Sequence, residues 1–171
     1  MENTNIFTPA SLDDFVFGNH RTEKTLRAIF SKDIPIPDAG TTGLLLYGAF
    51  GTGKTTLAKL IPDFMEQACG GTEANGGCCT YISCEQGKRG PDIMRSINDR
   101  ANNVSIFSDA RLHYFVLDEV DNLSAEAQKS LKAVMNLSDC LFVLTSNFIT
   151  KVDQAIKDRC YLLDMNASTP E

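Results

Sequence analysis

Along the chain, short apolar runs alternate with stretches whose apolar residues recur at helical spacing. Leu44 to Tyr47, Cys79 to Cys84, Leu112 to Leu117, Cys140 to Thr145 and Cys160 to Leu163 read as strands. Residues 21–31 place Leu26, Ile29 and Phe30 on one helical face. Residues 54–68 do the same with Leu57, Leu60, Ile61, Phe64 and Met65, and Pro62 inside that run predicts a kink. Pro91 opens a further helix at a position where its missing N–H is harmless. Ser124 is placed to cap a helix over 125–136, and residues 153–159 form a short one. Residues 1–19 read as extended, and the stretches IPIPDAGTTG and CGGTEANGGC read as turn-rich connectors. Continuous apolar strands in alternation with helices predict an α/β fold, a parallel sheet covered on both faces. Ligands of such sheets bind at the carboxyl ends of the strands.

The length of 171 residues suits one domain, and 43% hydrophobic with 22% charged residues is ordinary globular composition. That excludes a disordered, collagen-like or coiled-coil chain. No apolar run approaches the roughly 18 residues of a membrane span. The start, MENTNIFTPASLDD, lacks a basic-then-apolar signal pattern, so a soluble cytoplasmic protein is expected. A net charge of -6 gives no global attraction to nucleic acid or to an anionic membrane. It leaves room for a local basic strip of Lys88, Arg89, Arg95, Lys129 and Lys132. The 6 cysteines form no C-x-x-C pair or compact disulfide framework. Reduced thiols are the expectation, with zinc in the Cys69–Cys84 group as a lesser alternative. His20 and His113 are isolated and read as structural or exposed, His113 at the far end of its strand from the ligand edge.

One motif carries specific chemistry. Residues 48–55, GAFGTGKT, match G-x-x-x-x-G-K-[ST] between a strand and a helix. Gly48, Gly51 and Gly53 let the backbone curl so that successive amides point inward. With the following helix N-terminus they form a nest for phosphate. Phe50, Thr52 and Thr56 belong to the same loop and helix start. Lys54 is placed to reach β- and γ-phosphates, and the Thr55 hydroxyl to enter an octahedral Mg²⁺ shell.

The run Phe115-Val116-Leu117 then delivers Asp118 and Glu119 to the ligand edge. Asp118 suits the metal shell, and Glu119 suits orientation and deprotonation of an attacking water. Adjacent carboxylates at a strand end point differently and so divide those roles. Asn147 follows the strand ending at Thr145. If that strand lies between the loop strand and the Asp118 strand, its amide faces the γ-phosphate and the water. Thr145 and Ser146 are weaker candidates for the same task.

In their order, GAFGTGKT, FVLDEVD, TSN and AIKDRC resemble the AAA+ ATPases, and most nearly the clamp-loader subunits. The stretch from Asp118 to Leu123 with Ala127-Gln128-Lys129-Ser130-Leu131 looks like the clamp-loader Walker B strand and its helix. Asp158-Arg159-Cys160 is similar to the family's Ser-Arg-Cys box, with Asp for Ser, and Lys132 stands where clamp loaders often have arginine. The resemblance implies a three-layer αβα P-loop NTPase fold, with a five-stranded parallel sheet in the order 5-1-4-3-2. It implies a single AAA+ core domain over 1–171, ATP and Mg²⁺, and hydrolysis. Like or related subunits would form a ring or spiral, with Arg159 serving a neighbour's site as an arginine finger. It implies adenine contacts near Val16, Phe17 and Gly18, and DNA backbone and a sliding clamp as further partners. Family members continue into a helical lid beyond the fifth strand; on this chain alone hydrolysis would be weak. The alternative is a nucleotide-gated protein-binding module with little turnover, or another AAA+ branch. A small-molecule P-loop kinase would need an acceptor pocket and an arginine-bearing lid after residues 124–136, and neither is evident.

Overall fold

The computed structural model describes residues 9–85, 90–102 and 108–167. In chain order the elements are α1 (His20–Phe30), β1 (Gly43–Tyr47), α2 (Lys54–Ala68), β2 (Cys79–Ser83), α3 (Gly90–Ala101), β3 (His113–Asp118), α4 (Ala125–Val134), β4 (Cys140–Ser146), α5 (Gln154–Lys157) and β5 (Cys160–Asp164). Short 3₁₀ turns occupy Leu12–Asp14, Val120–Asn122 and Ile149–Lys151. The five strands form one sheet in the order β2-β3-β4-β1-β5, and every neighbouring pair is parallel. This is the order the resemblance implied, read from the other edge.

The period-2 alternation of strand side chains sorts the apolar residues into two layers. Leu44, Leu46, Tyr114, Val116, Leu141 and Val143 pack under α1 and α2 with Leu26, Ile29, Leu57, Ala58, Ile61 and Phe64. Leu45, Phe115, Leu117, Phe142 and Leu144 pack on the other face with Ile93, Ile97, Leu131, Val134 and Ile156. Both faces of β1, β3 and β4 are therefore buried, which explains why those strands read as unbroken apolar runs. The rings of Phe115 and Phe142 stack at 5.4 Å across β3 and β4.

Local sequence sets the boundaries. The Asn19 side chain accepts the Arg21 N–H at the start of α1, Ser124 accepts the Ala127 N–H at α4, and Asp153 accepts the Ala155 N–H at α5. Pro91 lies in the first turn of α3, as expected. α2 spans Lys54–Ala68 with Pro62 inside it, the helix that the spacing over 54–68 predicted. An interior proline costs about 3 kcal/mol of helix stability. Here Leu57, Ala58, Ile61 and Met65 of the same helix are buried in the core, and that burial offsets the missing backbone bond. The N-terminal stretch is not wholly extended, because Asp14 accepts the N–H groups of Ala10 and Ser11 and closes the first 3₁₀ turn.

Cys69, Cys78, Cys79, Cys140 and Cys160 carry free thiols. Among the described residues no group of three or more His, Cys, Asp or Glu side chains is arranged to hold a metal ion. Burial pushes the Cys79 and Cys140 thiols up to about 11, so they are unreactive near neutral pH. His113 opens β3, at the end of the sheet opposite β3's carboxyl terminus. No helix among the described residues is long and apolar enough to cross a membrane.

Candidate functional site

The loop between β1 and α2 curls as its glycines require. Gly51 and Gly53 have φ of 76° and 84°, in the left-handed region that a side chain disfavours, and Gly53 is the N-cap of α2. A Cβ at Gly48 would sit 3.0 Å from Asn166 Oδ1. The Ala49 N–H donates to that same oxygen at 2.8 Å. Asn166 is itself oriented by Asp164 Oδ1, which accepts its backbone N–H at 2.9 Å and its Nδ2 at 2.8 Å. The loop entrance is thus pinned by the chain that follows β5.

Lys54 is 6% exposed. Its Nζ donates to the carbonyls of Gly48 at 2.9 Å and Ala49 at 2.6 Å. Burial lowers its pKa, and Asp118, Asp121 and Glu119 pull the other way.

β4 separates β1 from β3, so the end of β4 stands between the loop and the acidic pair. Asp118 Oδ1 accepts the Thr55 hydroxyl at 2.8 Å and the Thr145 hydroxyl at 2.5 Å. Its Oδ2 accepts the Tyr81 hydroxyl at 3.0 Å. Burial first, and the Asp118 bond second, push the Tyr81 phenol up to about 12, so it remains a donor. Glu119 adopts φ 60° and ψ 53°, a left-handed conformation that costs a non-glycine residue about 1–2 kcal/mol. Its N–H donates to Thr145 Oγ1 at 2.8 Å. Its Oε1 accepts Asn147 Nδ2 at 3.3 Å and its Oε2 accepts Asn122 Nδ2 at 3.1 Å. The Asn147 N–H donates to Asp121 Oδ1 at 3.2 Å. The two neighbouring carboxylates therefore face different partners, as their position at a strand end requires.

Phe50, Gly51, Gly53, Lys54, Thr55, Thr56, Glu119, Thr145 and Asn147 line one cavity of about 350 Å³. A cavity of similar size at the opposite end of α1 is lined by Ile29, Pro35, Ile36, Met65 and Leu112 and offers no comparable polar set. At the rim of the first cavity, Phe50 is 71% exposed and its ring meets Phe148 edge-on at 5.9 Å. Lys151 Nζ lies 4.6 Å from the Phe148 ring centre.

Other sequence candidates stand apart. Val16 is 99% exposed, while Phe17 packs against the α1–α2 core layer. Gly18 leaves no room for a Cβ against the backbone of Ala167, next to the Asn166 that pins the loop. Arg159 lies at the amino end of β5, where its carbonyl accepts the N–H groups of Thr42 and Gly43. Its guanidinium donates to Asn136 Oδ1 at 3.1 Å and to the Ala155 carbonyl at 2.8 Å, away from the cavity of its own chain. Of the basic strip, Arg95 and Lys129 are exposed and Lys132 is half-buried, on the adjacent helices α3 and α4. Lys88 and Arg89 lie outside the described residues.

Two site neighbours, Tyr81 and Asn166, had no motif to announce them, and two more, Asn122 and Gln128, lie in the Walker B-like stretch without a role assigned to them. Buried Gln128 donates to the carbonyls of Leu123 and Lys151 at 3.3 and 3.0 Å and accepts the Asp153 N–H at 2.7 Å. It thereby ties α4 to the loops after β3 and β4. Its only sequence signal was its place in the helix after the acidic pair.

A parallel sheet whose central strands carry a phosphate loop, an acidic pair and a polar amide to one edge defines a P-loop ATPase core. The chain belongs to the ATPase family associated with various cellular activities (AAA), whose model matches residues 44–164. It is 29% identical over 161 residues to replication factor C subunit 4 of Encephalitozoon cuniculi, covering 93% of this chain and 47% of that protein. It is 30% identical over 157 residues to a replication factor C small subunit of Thermofilum pendens, covering 90% and 44%. The chain thus spans about half the length of these curated relatives. Among solved structures it resembles a DNA polymerase III gamma subunit-related protein of Thermotoga maritima, with a TM-score of 0.68 at 16% identity, covering 85% of this chain and 46% of that one. A Thermotoga maritima RuvB mutant gives 0.65 at 17% identity, covering 95% and 50%. These structural likenesses speak to the fold.

Proposed function

We propose that this chain is the core of an ATP-hydrolysing AAA+ subunit in a clamp-loader-like motor of DNA replication. The observation that carries the proposal is the meeting of Lys54, Thr55, Asp118, Glu119 and Asn147 around one cavity or in direct contact with its lining. ATP is the substrate. The loop amides and the start of α2 cradle its phosphates, and Lys54 exchanges its carbonyl partners for the β- and γ-oxygens. Thr55 and Asp118 place two hard oxygens 2.8 Å apart at the phosphate end, a donor pair that fits Mg²⁺. The ion, when bound, neutralises charge on the β- and γ-phosphate oxygens. Glu119 orients the attacking water and takes its proton, and Asn147 holds both the Glu119 carboxylate and the γ-phosphate side of the cavity. Val16, Phe17 and Gly18 flank adenine, next to the Asn166 anchor of the loop.

Arg159 serves a neighbouring subunit, since its own cavity lies at the other end of the sheet. That supports a ring or spiral of like or related subunits and slow turnover by the single core domain. The clamp-loader resemblance of the sequence implies DNA backbone and a sliding clamp as partners, with exposed Arg95 and Lys129 and half-buried Lys132 as phosphate contacts. The cytoplasm is the proposed location. The second reading, a nucleotide-gated binding module, draws on Glu119, both of whose oxygens are engaged within the chain. Multiple-turnover hydrolysis separates the two. Glu119→Gln is expected to lower it by about 10²–10⁴-fold while ATP still binds. Hydrolysis unchanged by Glu119→Gln would reject the water-activating role, and no turnover by the assembled subunits would favour the gated module.

A further inference from the structure

Asp118 spends its two oxygens differently. Oδ1 faces α2 and β4, where Thr55 and Thr145 donate to it. Oδ2 faces the edge strand β2 and, among the described residues, receives one donor, the phenol of Tyr81 at 3.0 Å. Tyr81 pairs with Val116 in the sheet register, two residues before the Ser83–Asp118 pair. Its ring therefore has to lean along the strand toward the carboxyl edge to reach Asp118. Its lean has a support, because Lys59 Nζ lies 4.5 Å from the ring centre. Lys59 is one turn after Thr55 on α2, so one helix face presents both the hydroxyl on Oδ1 and the ammonium over the ring that serves Oδ2.

We propose that Tyr81 is the positioning residue of the metal site, fixing the plane of the Asp118 carboxylate from Oδ2 so that Oδ1 faces the ion together with Thr55. The inference rests on the ATP and Mg²⁺ reading above. A metal shell that recruits Thr55 and Oδ1 takes over the first contact of Asp118. The Tyr81 bond approaches the other oxygen and survives. Phenol is suited to this place, since it donates without supplying a competing anionic ligand. Hydrogen-bond partners behind a metal ligand are worth about 10–100-fold in metal affinity. Tyr81 is 44% exposed, which sets the expectation at the lower end of that range.

The experiment measures uptake of a fluorescent ATP analogue by the chain, in EDTA and across a Mg²⁺ titration, for the unmodified protein, Tyr81→Phe and Lys59→Met. Mn²⁺ binding to the nucleotide-loaded protein, read by electron paramagnetic resonance, gives the same quantity without turnover. Tyr81→Phe keeps the ring and loses only the hydroxyl. It is expected to raise the Mg²⁺ and Mn²⁺ midpoints about tenfold with the EDTA affinity unchanged. Lys59→Met is expected to shift them in the same direction by less. Unshifted midpoints in Tyr81→Phe, or an equal loss of affinity in EDTA, would overturn the inference and leave the ATP reading standing. Failure of the unmodified chain to take up nucleotide at all would overturn both.

Discussion

The Thr145 hydroxyl donates to Asp118 Oδ1 at 2.5 Å and accepts the N–H of Glu119 at 2.8 Å. One buried side chain on β4 thus sets both the carboxylate of one acidic residue and the left-handed backbone of the next. The metal-holding and water-activating roles proposed for Asp118 and Glu119 would be separated by this single oxygen.

Thr145→Val keeps the shape and removes the oxygen. The Glu119 N–H loses its partner in a part-buried place, at a cost of about 1–3 kcal/mol. Urea unfolding should show that loss, and ATP turnover should fall by more than nucleotide affinity. Thr145→Ser, which restores the hydroxyl, should recover both. Full turnover in Thr145→Val would show that Glu119 is positioned by other contacts.

A second buried network stabilises the fold without touching the cavity. Glu66 accepts the hydroxyls of Ser108 and Tyr114, each at 2.6 Å, and the Asp109 N–H at 2.7 Å. Burial and the adjacent Glu66 keep the Tyr114 phenol protonated well above its ordinary range. Tyr114→Phe deletes one bond to a charged acceptor and should cost about 1.5–3 kcal/mol in chemical denaturation, with nucleotide affinity intact.

His113 predicts a pH dependence. Burial, with a smaller contribution from Arg100, lowers its pKa below the usual imidazole value. Its Nε2 meets Thr80 Oγ1 at 3.2 Å, its ring stacks on Phe115 at 4.6 Å, and its buried Nδ1 has no partner among the described residues. Below pH about 6.5 the unfolded chain takes up a proton that the folded chain resists, so stability falls as pH drops through that value and is full above it. Denaturation midpoints at pH 7.5 and 5.5 should differ in the parent, and His113→Asn should show the smaller difference.

Much of this site was legible because its parts are contiguous. The glycine spacing in GAFGTGKT reports backbone torsions directly, and Gly51 and Gly53 adopt the positive φ that the motif requires. The unbroken apolar runs of β1 and β4 announced strands buried on both faces. Asn147 lines the cavity with Lys54 and Glu119, a position that follows from the strand order, and that order came from family resemblance. Tyr81, Asn122 and Asn166 were not legible. Tyr81 and Asn166 act on partners on other strands or loops, through sheet neighbours that no local pattern encodes. Asn122 is near Glu119 in sequence, and it reaches the carboxylate across the 3₁₀ turn that follows a left-handed Glu119. Thr145 appeared as a weaker alternative because a hydroxyl at a strand end has many uses. The helix over 54–68 was legible despite Pro62, because the spacing of Leu57, Ile61, Phe64 and Met65 outweighed the local propensity of one proline.

The central claim is that the bend from β1 into α2 binds the triphosphate through Lys54. Equilibrium titration of the chain with Mg·ATP, beside Lys54→Ala, tests it most directly. Saturable uptake by the parent and at least about tenfold weaker uptake by a folded Lys54→Ala is the predicted result. Equal affinity in the two proteins, or no uptake by the parent, would contradict it.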